Sequence, residues 1–263
     1  MYRSEGPHMK IKVFAVVMAW ISASVMMAQL QNPNKQGNMA GHHIFSVKNL
    51  EEAKAFWRAL GGQDVEWGVL KMVKVPGALL YINQSKSGVS GGGTEGSSVD
   101  LLGFKVKDLK GALAKIEALG YKAMPGSNNR QAFVLGPDGV KVHLTEDAKL
   151  ATTLAADEVH MVAPKGAKEW YEKFFGVDIG GARLTFTESK EKMAPTRGRA
   201  LGTLGIEVRD LKATVAALKD SGATGLTDIR DGGKNFPDPF AVAVFTDPWG
   251  TTVELSQGLT NVK

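Results

Sequence analysis

Apolar and polar residues alternate in short runs along most of the chain, and between these runs apolar residues recur three and four apart. Period-two alternation predicts half-buried strands, and the longer spacing predicts amphipathic helices. The two patterns recur in a fixed order. His42-His43-Ile44-Phe45-Ser46-Val47 leads to Asn49-Leu50 and a helical pattern that stops at Gly61. Leu101-Leu102-Gly103-Phe104-Lys105-Val106 leads to Asp108-Leu109 and a helix stopping at Gly120. Thr203-Leu204-Gly205-Ile206-Glu207-Val208 leads to Asp210-Leu211 and a helix stopping at Gly222. Leucine to closing glycine is eleven positions each time. Asn49, Asp108 and Asp210 are suited to N-caps, and the glycines to helix stops.

A fourth copy is shorter at its joint: Val159-His160-Met161-Val162-Ala163-Pro164, then a helix over 167–176. Strand-like runs follow each helix, among them 78–82, 132–135, 182–187 and 241–245. Two of the closing strands are introduced by matching turns, Gly136-Pro137-Asp138-Gly139 and Asp247-Pro248-Trp249-Gly250. Six positions separate Pro137 from His143, and six separate Pro248 from Glu254. The repeating unit is therefore strand, helix and about three strands, four times over. Residues 85–98 and 189–200 lack periodicity and read as long loops, and 147–156 reads as a link between two halves. Gly91-Gly92-Gly93 has no strand-to-helix context, which argues against a nucleotide fingerprint.

At 263 residues the chain is long enough for two cores. It has no cysteine, which removes disulfides, thiolate catalysis and cysteine-ligated metals. The net charge is +5, of which Arg3, Lys10 and Lys12 against Glu5 supply +2, so the rest is too dilute to argue for nucleic acid. Lys10 and Lys12 precede the apolar run 13–21, and small residues follow at Ser22, Ala23, Ser24 and Ala28. That is the layout of an export signal over 1–28, too short at about 16 apolar residues for a spanning helix. The expected mature protein is exported, periplasmic or extracellular, free of the membrane, and begins with a flexible polar stretch over 29–40.

The FSVKNLEEAKAFW, GFKVKDL, GIEVRDL, GPDGVKVHL and DPWGTTVEL runs resemble the vicinal oxygen chelate superfamily, which includes glyoxalase I, bleomycin-resistance proteins and extradiol dioxygenases. The resemblance covers nearly all of 41–257. It implies an α+β fold of four βαβββ units paired into two glyoxalase-like domains with curved mixed sheets, at 41–147 and 157–257. It also implies a divalent ion held by two histidines and a glutamate from first and last strands. Carried over by position, the first domain offers His42, Leu101 and His143, and leucine ligates nothing. The second offers Thr203 and Glu254, with Glu158 or His160 in the remaining place. His43 faces away from His42, so both cannot serve one ion.

Metal candidates are thus Glu254, His160, Glu158, His42 and His143, with Glu254 and His160 as the candidate catalytic pair. An oxygen-rich set suits Mn²⁺, Mg²⁺ or Fe²⁺ better than Zn²⁺, and a histidine beside carboxylates can also do acid–base work without metal. Any ion is expected to depend on Glu254 and not on His143. Arg130, Asn235 and Phe240, in loops before strands, are candidate ligand contacts. The expected function is binding of a small oxygenated molecule with metal chemistry reduced or absent. The alternative is a divalent-metal lyase, isomerase or ring-cleaving dioxygenase acting from the second domain. A purely structural or dimerising role is a third reading, and the oligomeric state is open.

Overall fold

A computed structural model describes residues 30–85, 89 and 91–262, so the export signal lies outside the described residues. All four units form. The first comprises β1 (Asn38–Val47), α1 (Leu50–Leu60), β2 (Gln63–Trp67), β3 (Leu70–Val75) and β4 (Ala78–Gln84). The second comprises β5 (Val99–Val106), α2 (Leu109–Ala118), β6 (Ala123–Pro125), β7 (Gln131–Leu135) and β8 (Lys141–Glu146). The third is shorter: β9 (Leu154–Ala163), α3 (Ala167–Phe174), β10 (Asp178–Ile179) and β11 (Ala182–Glu188). The fourth comprises β12 (Leu201–Val208), α4 (Leu211–Leu218), β13 (Arg230–Asp231), β14 (Ala241–Thr246) and β15 (Thr252–Gln257). The Asn49 carboxamide accepts from the Glu51 and Glu52 amides, and Asp108 and Asp210 cap their helices in the same way. Gly61 ends α1 at φ 115°, a left-handed conformation that glycine takes without strain.

The strands make two curved mixed sheets, one of eight strands in the order β13-β14-β15-β12-β1-β4-β3-β2 and one of seven in the order β10-β11-β9-β5-β8-β7-β6. Units one and two do not share a sheet, and neither do units three and four. Unit one pairs with unit four through β1 and β12, and unit two with unit three through β5 and β9. The cause is the routing of the connections. The stretch read as an inter-domain link is a turn within one sheet: the Lys107 amide bonds Thr153, and β9 is under way by Leu154. The two aperiodic loops are the crossovers between sheets, and they bind each other. Arg199 Nε donates to the Gly93 carbonyl at 2.8 Å and its guanidinium to that of Glu95 at 2.8 Å.

The helices fill the space between the sheets. Trp57 of α1 meets Phe45 on one sheet at 5.7 Å and Phe104 on the other at 5.2 Å. Trp170 of α3 meets Phe245 of β14, and Tyr171 donates to the buried Asp247 at 2.8 Å. One apolar core runs through this layer from sheet to sheet. The polar stretch before β1, expected to be flexible, is fastened. The Asn34 and Asn38 side chains donate to the Phe175 carbonyl, and Gln36 donates to that of Glu172. These amides satisfy carbonyls that the end of α3 leaves open. Among the described residues no helix is long and apolar enough to cross a membrane.

Candidate functional site

Each sheet turns one face to the helices and leaves the other free of them. Alternation along β1 sends His43, Phe45 and Val47 toward the core and His42 to the helix-free face. On β15, Val253 and Leu255 face the core and Glu254 faces the other way. His42 Nε2 and Glu254 Oε1 meet there at 2.7 Å. On the seven-stranded sheet Val142 and Leu144 face the core, so His143 projects from the helix-free side, as do Glu158 and His160 on β9. His143 Nδ1 lies 3.4 Å from Glu158 Oε2 and His160 Nδ1 lies 3.8 Å from Glu158 Oε1.

The five candidate donors thus sort by sheet, and not as their order in the chain suggested. His42 and His143 do not share a site, and Glu254 does not meet Glu158 or His160. Glu254 closes the sheet that His42 opens, whereas His143 joins the pair from β9. Leu101, which cannot ligate, sits in register with His160 and is buried. Thr203 lies opposite Ile44 on β12. Arg130 donates to the Glu146 carbonyl at 2.9 Å, tying down its own loop. Asn235 belongs to an exposed 3-10 turn. Phe240 packs against Trp67 and Phe236 at 5.0 and 4.7 Å and also borders a cavity, away from both histidine–glutamate pairs.

Two glycines make both pairings possible. Gly103 of β5 lies in register with His143 on one side and Glu158 on the other. A Cβ added to it would stand 2.7 Å from the Glu158 Cβ. Gly205 of β12 is in register with Glu254, and a Cβ there would run into the His42 carbonyl. A side chain at either seam would fill the space the pair uses. The visible signal is a lone glycine inside a strand pattern, which marks close approach.

Around His143 the network extends to residues that sequence reasoning missed. The Thr185 hydroxyl donates to Glu158 Oε1, and its oxygen is 2.8 Å from His160 Nδ1. Thr187 Oγ1 is 3.1 Å from His160 Nε2. Phe133 stacks on the His143 ring at 4.7 Å, with Lys141 over its ring. The Glu158 carboxyl is held below its ordinary value, first by the His143 hydrogen bond and then by Thr185 and His160, against the opposing effect of burial. Threonines two apart in a strand are ordinary strand formers, so nothing in the sequence set Thr185 and Thr187 aside.

The eight-stranded sheet carries a different environment. Trp67, Met72, Leu79, Phe240, Leu259 and Val262 form a second apolar cluster, joined by Leu30, Tyr81 and Phe236. Leu79 is the register partner of His42, so this cluster shares its face. Lys74, buried, donates to the Val262 carbonyl at 2.9 Å, and burial lowers its pKa. The buried Glu207 holds the closing turn through the Gly258 and Leu259 amides. A cavity of about 670 Å³ opens beside this turn among Leu30, Glu207, Arg209, Phe240 and Gln257, and neither histidine–glutamate pair lines it.

Two imidazoles and a carboxylate are donors a divalent ion uses. Here, however, every side-chain nitrogen and oxygen of His143, Glu158 and His160 except His143 Nε2 is engaged within the protein. Among the described residues no group of three or more His, Cys, Asp or Glu side chains is arranged to hold a metal ion. These donors are bound to one another rather than gathered around a point that an ion could occupy.

No protein-family model and no curated protein sequence matches the chain. Solved structures do. Glyoxalase I from Zea mays is 16% identical with a TM-score of 0.63, covering 84% of this chain and 92% of that one. A putative dioxygenase from Bacillus subtilis is 13% identical with a TM-score of 0.58, covering 89% and 88%. The cppA protein from Streptococcus pneumoniae is 10% identical with a TM-score of 0.50, covering 82% and 97%. With four strand–helix–strand units, two curved mixed sheets and these neighbours, the chain has an α+β, glyoxalase-like fold.

Proposed function

We propose that this chain is an exported protein that binds a small oxygenated molecule on the helix-free face of the seven-stranded sheet, with metal chemistry reduced or absent. The observation that carries the reading is the connected set His143, Glu158, Thr185, His160 and Thr187, polar throughout and partly open to solvent. A carboxylate that orients an imidazole makes a hydrogen-bonding and acid–base site without an ion. Export is supported by Lys10, Lys12 and the apolar run that follows them.

The test is a titration of chelator-treated, histidine-labelled protein with hydroxyacetone and catechol, followed by NMR. Binding should move the His143 and His160 signals, and micromolar Mn²⁺ or Zn²⁺ should not strengthen it. Shifts confined to His42, or no shifts at all, would overturn the placement. Binding that appears only with added metal would support the second reading, a divalent-metal lyase, isomerase or dioxygenase. The composition of the His143, Glu158 and His160 set is what favours that reading. Intact-mass analysis of envelope protein tests export, and a product retaining 18–21 contradicts it.

A further inference from the structure

We propose that the ligand of this face docks through a hydroxyl that donates its proton to His143 Nε2, and that Glu158 sets this polarity. The inference rests on the binding reading above and adds a chemical class to it: hydroxyl compounds, in preference to carboxylates.

Thr185 has one hydroxyl proton and gives it to Glu158 Oε1, which as a carboxylate oxygen can only accept. The Thr185 oxygen, 2.8 Å from His160 Nδ1, must then be the acceptor, so the His160 proton sits on Nδ1. In the neutral ring His160 Nε2 is left bare and takes the Thr187 hydroxyl proton at 3.1 Å. On the other arm, Glu158 Oε2 can only accept from His143 Nδ1 at 3.4 Å, which leaves His143 Nε2 bare as well. With both rings neutral, one arrangement of protons satisfies every contact in the network and ends on a lone pair. That lone pair has no partner among the described residues.

A bare imidazole nitrogen needs a donor. Nε2 itself is covered, while 17% of the side chain is open, so a hydroxyl reaches the nitrogen only once its cover moves. A carboxylate ligand has no proton to give at neutral pH and would place a second negative charge beside Glu158. The ring face of His143 is already taken by Phe133, which leaves its edge as the point of approach.

Glu158→Gln gives a test that a merely structural role would not pass. In that variant the Thr185 hydroxyl proton keeps its direction toward residue 158, with the His160 proton still on Nδ1. The Gln amide oxygen must therefore turn to Thr185 and its NH₂ to His143 Nδ1. His143 Nδ1 becomes an acceptor, the ring proton moves to Nε2, and the free nitrogen changes from acceptor to donor. The probes are phenol and benzoate, which share a ring and differ in the group presented. Long-range ¹H–¹⁵N spectra read the tautomers, and titration of the His143 Nε2 signal reads the affinities.

The wild type should show His143 and His160 protonated on Nδ1, and should bind phenol at least tenfold more tightly than benzoate. Glu158→Gln should show His143 protonated on Nε2 and reverse that preference. A protonated His143 Nε2 in the wild type, or the same preference in both proteins, overturns the inference. If hydroxyacetone or catechol still moves His143 and His160 in that case, the binding reading survives without the polarity. If no compound moves either histidine, both fail.

Discussion

On the eight-stranded sheet the His42–Glu254 pair shares its face with Trp67, Leu79, Phe240 and the closing residues Leu259 and Val262, and His42 is 5% exposed. On the seven-stranded sheet the His143–Glu158 pair shares its face with Thr185, Thr187, Lys141 and Arg183, and no comparable apolar cluster forms among the described residues. The two pairs are built alike, a first-strand residue reaching a last-strand residue across a seam glycine. What separates them is what the chain does after the last strand. Beyond β15 it turns back at Leu259–Asn261 and packs on its own sheet. Beyond β8 it goes straight into the next unit. Equivalent strand positions are sealed in one sheet and kept open in the other by the path of the backbone, not by the pair itself.

The comparison depends on sheets shared between distant units, and the largest effect comes from cutting them. A fragment beginning at Ala155 holds units three and four without their partners two and one. Both seams, β1 with β12 and β5 with β9, would then be bare edges next to an open core. The fragment should not unfold cooperatively, and calorimetry should show no transition. A sharp transition would mean that the halves close independently.

This is also where the sequence stopped being informative. Caps at Asn49, Asp108 and Asp210, the strands and the five donors are local signals, and local signals are legible in one chain. Which unit shares a sheet with which depends on where the connections run. Residues 85–98 and 189–200 show only that they are loops, not that Arg199 of one binds the carbonyls of the other. The same holds for the apolar cluster. Trp67, Phe236 and Phe240 are isolated aromatics in the sequence and meet only once both sheet edges are in place.

The second expectation concerns that cluster. Phe240→Ala should cost about 3–5 kcal/mol, the range for a buried phenylalanine. Phe133→Ala, on the open sheet and only half-buried, should cost about 1 kcal/mol. Urea midpoints of the two variants compare the faces directly, and equal losses would mean that the open face is packed as tightly as the sealed one.

A third effect comes from the core side of β1. His43 is buried, and desolvation first and His42 second push its pKa down to about 3. The folded protein keeps it neutral while the unfolded chain protonates it below its ordinary value, 6.5. Its stabilising effect is therefore full above that value and lost as the pH falls toward about 3, at most about 1.4 kcal/mol per pH unit. Burial raises the Glu207 and Asp247 carboxyls, which works in the opposite direction, so the measurement is a difference. Stability from pH 7.5 to 5 should fall more steeply in the wild type than in His43→Leu. Parallel slopes would show that His43 is not held neutral.

The smallest effect is the most selective between the faces, because one substitution should change sign. Thr252 lies two residues before Glu254 on β15, and its hydroxyl is buried without a partner among the described residues. Valine keeps the shape and removes a polar atom that folding leaves unsatisfied, so Thr252→Val should stabilise the protein by about 1 kcal/mol. Thr185 of β11, by contrast, binds on both sides, to Glu158 and to His160. Thr185→Val strands a carboxylate oxygen and an imidazole proton, and should cost about 1–2 kcal/mol, moderated by the partial exposure of both partners. Thermal melts read both variants. Matching signs would mean either that Thr252 has a partner in solution or that the Thr185 contacts are replaced by water at no cost, and the histidine spectra of Thr185→Val distinguish the two.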